Sequence, residues 1–273
     1  MNTTMKPNAE IPKVPLGATG ITVSQLGFGT YDLGVPSSKI SPDHGGEILR
    51  RAHQLGVTLW DTSDDYGSHP HVASALKHVP RAETVICTKT SAESGREAAA
   101  SLARSLGELG TDYVDIFLLH AVEAGGVREC RRVLKDLGRV KRAGTVRAIG
   151  LSTHSVTVVR LAAGFEEVDV IMTICCKADQ AILRRYRKLI PLEDGSMEEM
   201  LRALELAHHH GKGTIAMKVL GNGAPPLIEE YSSSIQWVAG LGFVDAMVIG
   251  MKDAGQVEEN VRALAPDRRT RQG

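Results

Sequence analysis

The chain alternates short apolar runs with longer stretches in which apolar residues return every three or four positions, the pattern of repeated strand and helix units. The apolar runs fall at 26–29, 57–60, 84–87, 113–119, 146–151, 170–174, 214–217 and 244–249. Among the intervening stretches, REAAASLARSLGELG, GVRECRRVLKDLGRVKRAG, SMEEMLRALELAHHHG and DAGQVEENVRALA have the spacing of amphipathic helices. Ser41-Pro42-Asp43 reads as a helix start, with a Ser cap, Pro in the first turn and an acid favoured by the helix dipole; Gly56 reads as its stop. Upstream, PLGATGITVSQLGFG predicts a hairpin leading into the first of eight strands. Eight strands alternating with helices predict an α/β fold: a single (β/α)8 TIM barrel with an N-terminal β-hairpin. The predicted domain covers 11–265, with loose tails at 1–10 and 266–273.

Composition narrows the function classes. Thirty-two basic and thirty-two acidic residues cancel across 273 residues, so no net field favours nucleic acid or an anionic membrane surface. No apolar run approaches the roughly 20 residues needed to span a bilayer, and MNTTMKPNAEIPK lacks a signal-peptide core. A cytoplasmic protein acting on a small molecule is expected. Cys87, Cys130, Cys175 and Cys176 show neither zinc-like pairing nor a disulfide framework and read as reduced thiols. The vicinal pair follows a strand and reads as structural filler. His208, His209 and His210 are consecutive, point in different directions on a helix and read as a solvated helix end.

The strand ends carry the candidate chemistry. GVTLWDTSDDYG delivers Asp61 and, five residues later, Tyr66; VICTKT places Lys89 and DIFLLH places His120 at the ends of later runs. In a parallel barrel, catalytic groups come from the C-terminal ends of several strands. Reduction of a carbonyl needs a hydride to carbon and a proton to oxygen. A phenol has an ordinary pKa of about 10, so Tyr66 needs a cation to stabilise its phenolate; Lys89 is the candidate, and Asp61 the counter-charge that holds it. His120 is placed to hydrogen-bond a substrate carbonyl.

Aspartate, tyrosine, lysine and histidine in this order and setting resemble the tetrad of the aldo-keto reductase superfamily. The resemblance extends to LGFGTYDLG, GTVRAIGLSTHS, TIAMKVLGNG and VIGMKDAGQVEEN. It implies a nicotinamide cofactor bound across the barrel mouth, since no strand here leads into a Rossmann glycine loop. It places Gly29, Thr30, Tyr31 and Asp61 near the nicotinamide, Ser152 and Thr153 at its carboxamide, Met172 and Met217 beside the ring, and Lys218 and Leu220 on the following loop. Gly250, Met251 and Lys252 would wrap the adenosine phosphate, with Gln256, Glu259 and Asn260 at the adenine and its ribose. Lys252 as a cation for a 2′-phosphate favours NADPH over NADH.

The chain departs from the family pattern at Thr153, Met172, Cys176 and Met217, where many members have Asn, Gln, Asn and an aromatic residue. Two carboxamide contacts are therefore in question. Relatives of one branch append an iron-sulfur domain; no cysteine follows Cys176, so no cluster is expected, and a short C-terminal region implies an open pocket. The overall reading is an NADPH-dependent oxidoreductase acting on aldehydes, ketones or sugar carbonyls, or the reverse, with Tyr66 as general acid/base. Two alternatives stay open: a cofactor-binding regulatory subunit, and a barrel lyase or isomerase without net hydride transfer.

Overall fold

The computed structural model describes residues 11–264; the two tails expected at 1–10 and 266–273 lie outside the described residues. An antiparallel hairpin, β1 (Lys13–Pro15) and β2 (Thr22–Ser24), precedes the strands β3 (Leu26–Gly29), β4 (Leu59–Asp61), β5 (Val85–Thr90), β6 (Val114–Leu119), β7 (Val146–Thr153), β8 (Val170–Ile174), β9 (Gly213–Met217) and β10 (Ala246–Gly250). These eight pair in sequence order as a closed parallel barrel, with β10 returning to β3. The (β/α)8 expectation is met, hairpin included.

Alternation along the strands sorts side chains into two cores. Inside the barrel Leu59, Cys87, Ile116, Leu118, Ala148, Met172, Ile215 and Val248 form one apolar cluster. Neighbours of opposite facing, such as Phe28, Trp60, Ile86, Phe117 and Ile149, pack outward against the helices. The hairpin plugs one end: Leu16, Ile21 and Val23 join the inner cluster, while Gly17 donates to Asp245 Oδ2 at 3.0 Å. Gly150 faces inward where a Cβ would sit 1.8 Å from the Val170 carbonyl oxygen, so no side chain fits there.

Element limits shift from the apolar runs for local reasons. β4 begins at Leu59, because the Thr58 and Leu59 amides donate to Ser24 Oγ at 2.9 and 3.1 Å. The helix capped by Ser41 ends at Gln54, and Gly56 follows with φ +90°. β5 and β7 run past their apolar runs into polar residues at the mouth. Of the histidine triplet, His209 and His210 are exposed as expected, while His208 is half-buried 3.4 Å from Asp245 Oδ1, and His210 Nδ1 is 3.0 Å from the Ala163 carbonyl. The helix end is thereby tied to the closed end of the barrel. All four cysteines are free and buried, Cys175 and Cys176 within the outer core.

Candidate active site

Two residues beyond the inner apolar cluster, the same inward faces of β4 and β5 carry Asp61 and Lys89, and His120 immediately follows β6. Lys89 is 1% exposed and Asp61 4%. The Lys89 ammonium donates to Asp61 Oδ2 and to the Thr62 carbonyl, both at 2.8 Å. Asp61 Oδ1 lies 2.7 Å from the same nitrogen but off the line of a good hydrogen bond, leaving it acceptor capacity. Burial works against the lysine's charge, but Asp61, then Tyr66 and Cys87, outweigh it and hold the ammonium above its ordinary range.

Tyr66 comes from the loop after β4. Gly34 fixes that loop, since a Cβ there would sit 2.1 Å from the Tyr66 carbonyl oxygen; the two backbones touch. The Lys89 nitrogen stands 4.8 Å from the Tyr66 ring centroid, and Tyr66 Oη is 3.4 Å from His120 Nε2. The net titration differs from what the lysine alone would give. Burial raises the phenol, Lys89 pulls it down, and Asp61 and Asp65 push it up again, for a net rise to about 12. His120 is lowered by burial and by Lys89, so its imidazole is neutral near pH 7. Ser63 Oγ sits 3.2 Å from His120 Nδ1 and 3.4 Å from the Lys89 carbonyl. Its rotation sets which imidazole nitrogen carries the proton.

The structure thus brings Asp61, Tyr66, Lys89 and His120 into one constellation. Of the remaining expected site residues, Ser152 is buried at the top of β7; its Oγ accepts from the Ala121 amide at 3.0 Å and retains a hydrogen to donate. The Thr153 hydroxyl is already engaged, donating to the Val122 carbonyl at 2.6 Å and accepting from the Ser155 amide at 3.0 Å. The Thr30 hydroxyl donates to the Asp61 carbonyl at 2.9 Å, so it braces β4. Met172 is in the inner core and Met251 in the outer core, while Met217 is half-buried against the inner cluster. Lys218 and Leu220, half-buried, follow β9.

Gly29 and Gly250 pair across β3 and β10 at the mouth, beside Tyr31, which is 54% exposed and meets Tyr66 edge-on at 5.0 Å. Lys252 Nζ lies 3.6 Å from Asp32 Oδ1, and its amide donates to Gln256 Oε1 at 2.8 Å. Gln256 and Glu259 are exposed and Asn260 is buried. Sequence reasoning missed Ser63, Asp65 and His154. Asp65 Oδ1 lies 3.6 Å from His120 Nδ1, and His154 follows directly on β7. Their signal was adjacency to the strand-end residues.

The profile of the Aldo/keto reductase family matches residues 25–226. An L-galactose dehydrogenase of Arabidopsis thaliana is 29% identical over 287 residues, spanning 91% of this chain and 86% of that protein. An NADH-specific methylglyoxal reductase of Escherichia coli K12 is 27% identical over 319 residues, spanning 92% of this chain and 93% of that protein. A solved structure from Pseudomonas aeruginosa, assigned to the aldo-keto reductases, superposes with a TM-score of 0.76 at 26% identity, covering 94% of this chain and 97% of the other.

Proposed function

The chain belongs to the aldo/keto reductase family, and on that premise we propose that it is a nicotinamide-dependent reductase of aldehydes, ketones or sugar carbonyls, carried by one barrel domain over 11–265. The observation that carries this reading is the buried Asp61–Lys89 pair set beneath Tyr66, with Tyr66 Oη 3.4 Å from a neutral His120.

The residues at the mouth fit a nicotinamide. Asp61 Oδ1 and the Ser152 hydroxyl offer an acceptor and a donor for a carboxamide, and Gly29 and Gly250 pair backbone to backbone at the mouth, where a Cβ on Gly250 would meet Asp32 Oδ2 at 2.7 Å. Thr153 has no spare hydroxyl hydrogen, so its contribution is confined to framing the loop. Met217 supplies a thioether against the ring face. The cofactor, when bound, supplies the hydride to the carbonyl carbon. His120 Nε2 holds the carbonyl oxygen, Tyr66 gives it the proton, and Lys89 stabilises the phenolate left behind. In the reverse direction Tyr66 takes the proton back. Ser63, by choosing the His120 tautomer, is a positioning residue.

The titrations give opposite pH profiles for the two directions. Reduction uses the protonated phenol, which burial holds up to about 12, so Tyr66 leaves its rate flat between about pH 7 and 10. Oxidation uses the phenolate, whose fraction grows across that range. Initial rates in both directions with a matched aldehyde and alcohol check this; parallel profiles would remove Tyr66 from the proton transfer.

We propose NADPH as the preferred cofactor, through Lys252 with support from Gln256, Glu259 and Asn260. Asp32 already competes for Lys252 at 3.6 Å. Asp32→Asn should therefore tighten NADPH relative to NADH by about two- to fivefold, the worth of an exposed ion pair. Lys252→Ala should weaken NADPH by about threefold or more and leave NADH unchanged. Fluorescence titration of both cofactors reads the difference, and equal changes for the two would show that Lys252 does not read a 2′-phosphate.

A further inference from the structure

Two polar groups at the barrel mouth are unused by the tetrad and lack partners. Lys218, the first residue after β9, is half-buried, and among the described residues its ammonium has neither a hydrogen bond nor an ion pair. Its backbone is left-handed at φ +56°, a conformation that side-chain-bearing residues rarely adopt and that often marks functional positions. His154, the first residue after β7, buries Nε2 with no partner, while Nδ1 is 3.9 Å from Glu193 Oε1, too far for a hydrogen bond.

The two residues leave strands on either side of β8: Thr153 pairs with Thr173, and Ile174 with Met217. Their charges communicate. Burial, Lys218 and His120 push His154 down to about 4. Burial and Lys89 lower Lys218. Glu193 is governed by burial, Glu123 and Asp194 rather than by Lys218. A half-buried cation without a counter-charge among the described residues, and an unsatisfied imidazole across β8 at the same mouth, together offer an anion both charge and a hydrogen bond.

We propose that Lys218 and His154 form, at the barrel mouth that carries Tyr66 and His120, an oxyanion subsite that takes the carboxylate of a substrate that also carries the reducible carbonyl: an oxo acid or an aldehyde acid. The inference rests on the reductase reading. Hydride adds to the carbonyl carbon and the Tyr66 proton to its oxygen, giving the hydroxy acid; the carboxylate is unchanged and serves as a handle. It also reassigns the Lys218 side chain, which family resemblance puts on the cofactor side.

The test compares succinic semialdehyde with butanal, with NADPH and with NADH, in the wild type, Lys218→Met, Lys218→Arg and His154→Phe. The quantity read is the ratio of kcat/KM for the acid over the neutral aldehyde. A charged hydrogen bond lost in Lys218→Met should lower that ratio by about tenfold or more. Lys218→Arg should retain most of it, and His154→Phe should lower it less. Cofactor affinity, measured by fluorescence, should change by less than about twofold. A rise in cofactor Kd with an unchanged ratio would assign Lys218 to a cofactor phosphate and overturn the proposal, as would no change in either. If neither aldehyde is reduced with either cofactor, the reductase reading fails. The subsite is then decided by calorimetry with succinate: binding lost in Lys218→Met supports it, and no binding to the wild type refutes it.

Discussion

Tyr66→Phe is expected to lower turnover of a simple aldehyde by about 10²- to 10⁴-fold, the usual contribution of a positioned acid. The substitution removes one oxygen and little else. The ring keeps its edge-on contact with Tyr31 at 5.0 Å and its place 4.8 Å from the Lys89 nitrogen, so the loop after β4 stays where Gly34 holds it. Only the 3.4 Å approach to His120 is lost. Cofactor affinity should therefore stay within about twofold, and the loss should fall on kcat rather than on KM.

The buried phenol also explains why the donor needs Lys89. Burial is the largest influence raising the phenol's titration, with Asp61 and Asp65 adding to it, and Lys89 is the chief influence opposing them. Without that cation the phenolate left by proton transfer would stand uncompensated in a site of low dielectric. Full activity in Tyr66→Phe would shift the proton donor to His120 or to water and sink the proposed mechanism.

The barrel and the placing of Asp61, Lys89 and His120 at its mouth were legible in the sequence for one physical reason, whereas Tyr66, on the loop after β4, entered through the family resemblance. Strand side chains alternate, so a polar residue two positions beyond an inward apolar one must face the mouth of a parallel barrel. Asp61 follows Leu59 in this way, Lys89 follows Cys87 and His120 follows Leu118. The net titration of Tyr66 was not legible, because it depends on the depth of burial set by the whole loop. Contacts between distant loops were also hidden. Ser63 meets His120 across 57 positions, and Asp32 meets Lys252 across the join between β3 and β10. Side-chain facing beyond the strands was hidden as well: Met251 lies in the outer core, and the Thr153 hydroxyl is spent on the Val122 carbonyl.

The largest stability effect is expected from separating Asp61 and Lys89. Both are almost fully buried, and each is the other's principal counter-charge. Lys89→Met leaves a buried carboxylate and Asp61→Asn a buried ammonium, and breaking such a pair costs about 3–5 kcal/mol. At about 2–4 °C per kcal/mol for a chain of this size, each single variant should melt about 6–20 °C below the wild type. The double variant carries no buried charge here and should recover much of that loss, giving a strong coupling in a thermal-denaturation cycle. Its turnover should stay low, since nothing then stabilises the Tyr66 phenolate. The pair is also expected to shape the alkaline limit. Because Lys89 is raised in the folded protein, its stabilising contribution is complete below the ordinary lysine value of 10.5 and declines as pH rises beyond it. Lys89→Met should therefore flatten the fall in melting temperature above that pH. Additive losses in the cycle, or a double variant that regains turnover along with stability, would show that the pair neither depends on mutual neutralisation nor acts through Tyr66.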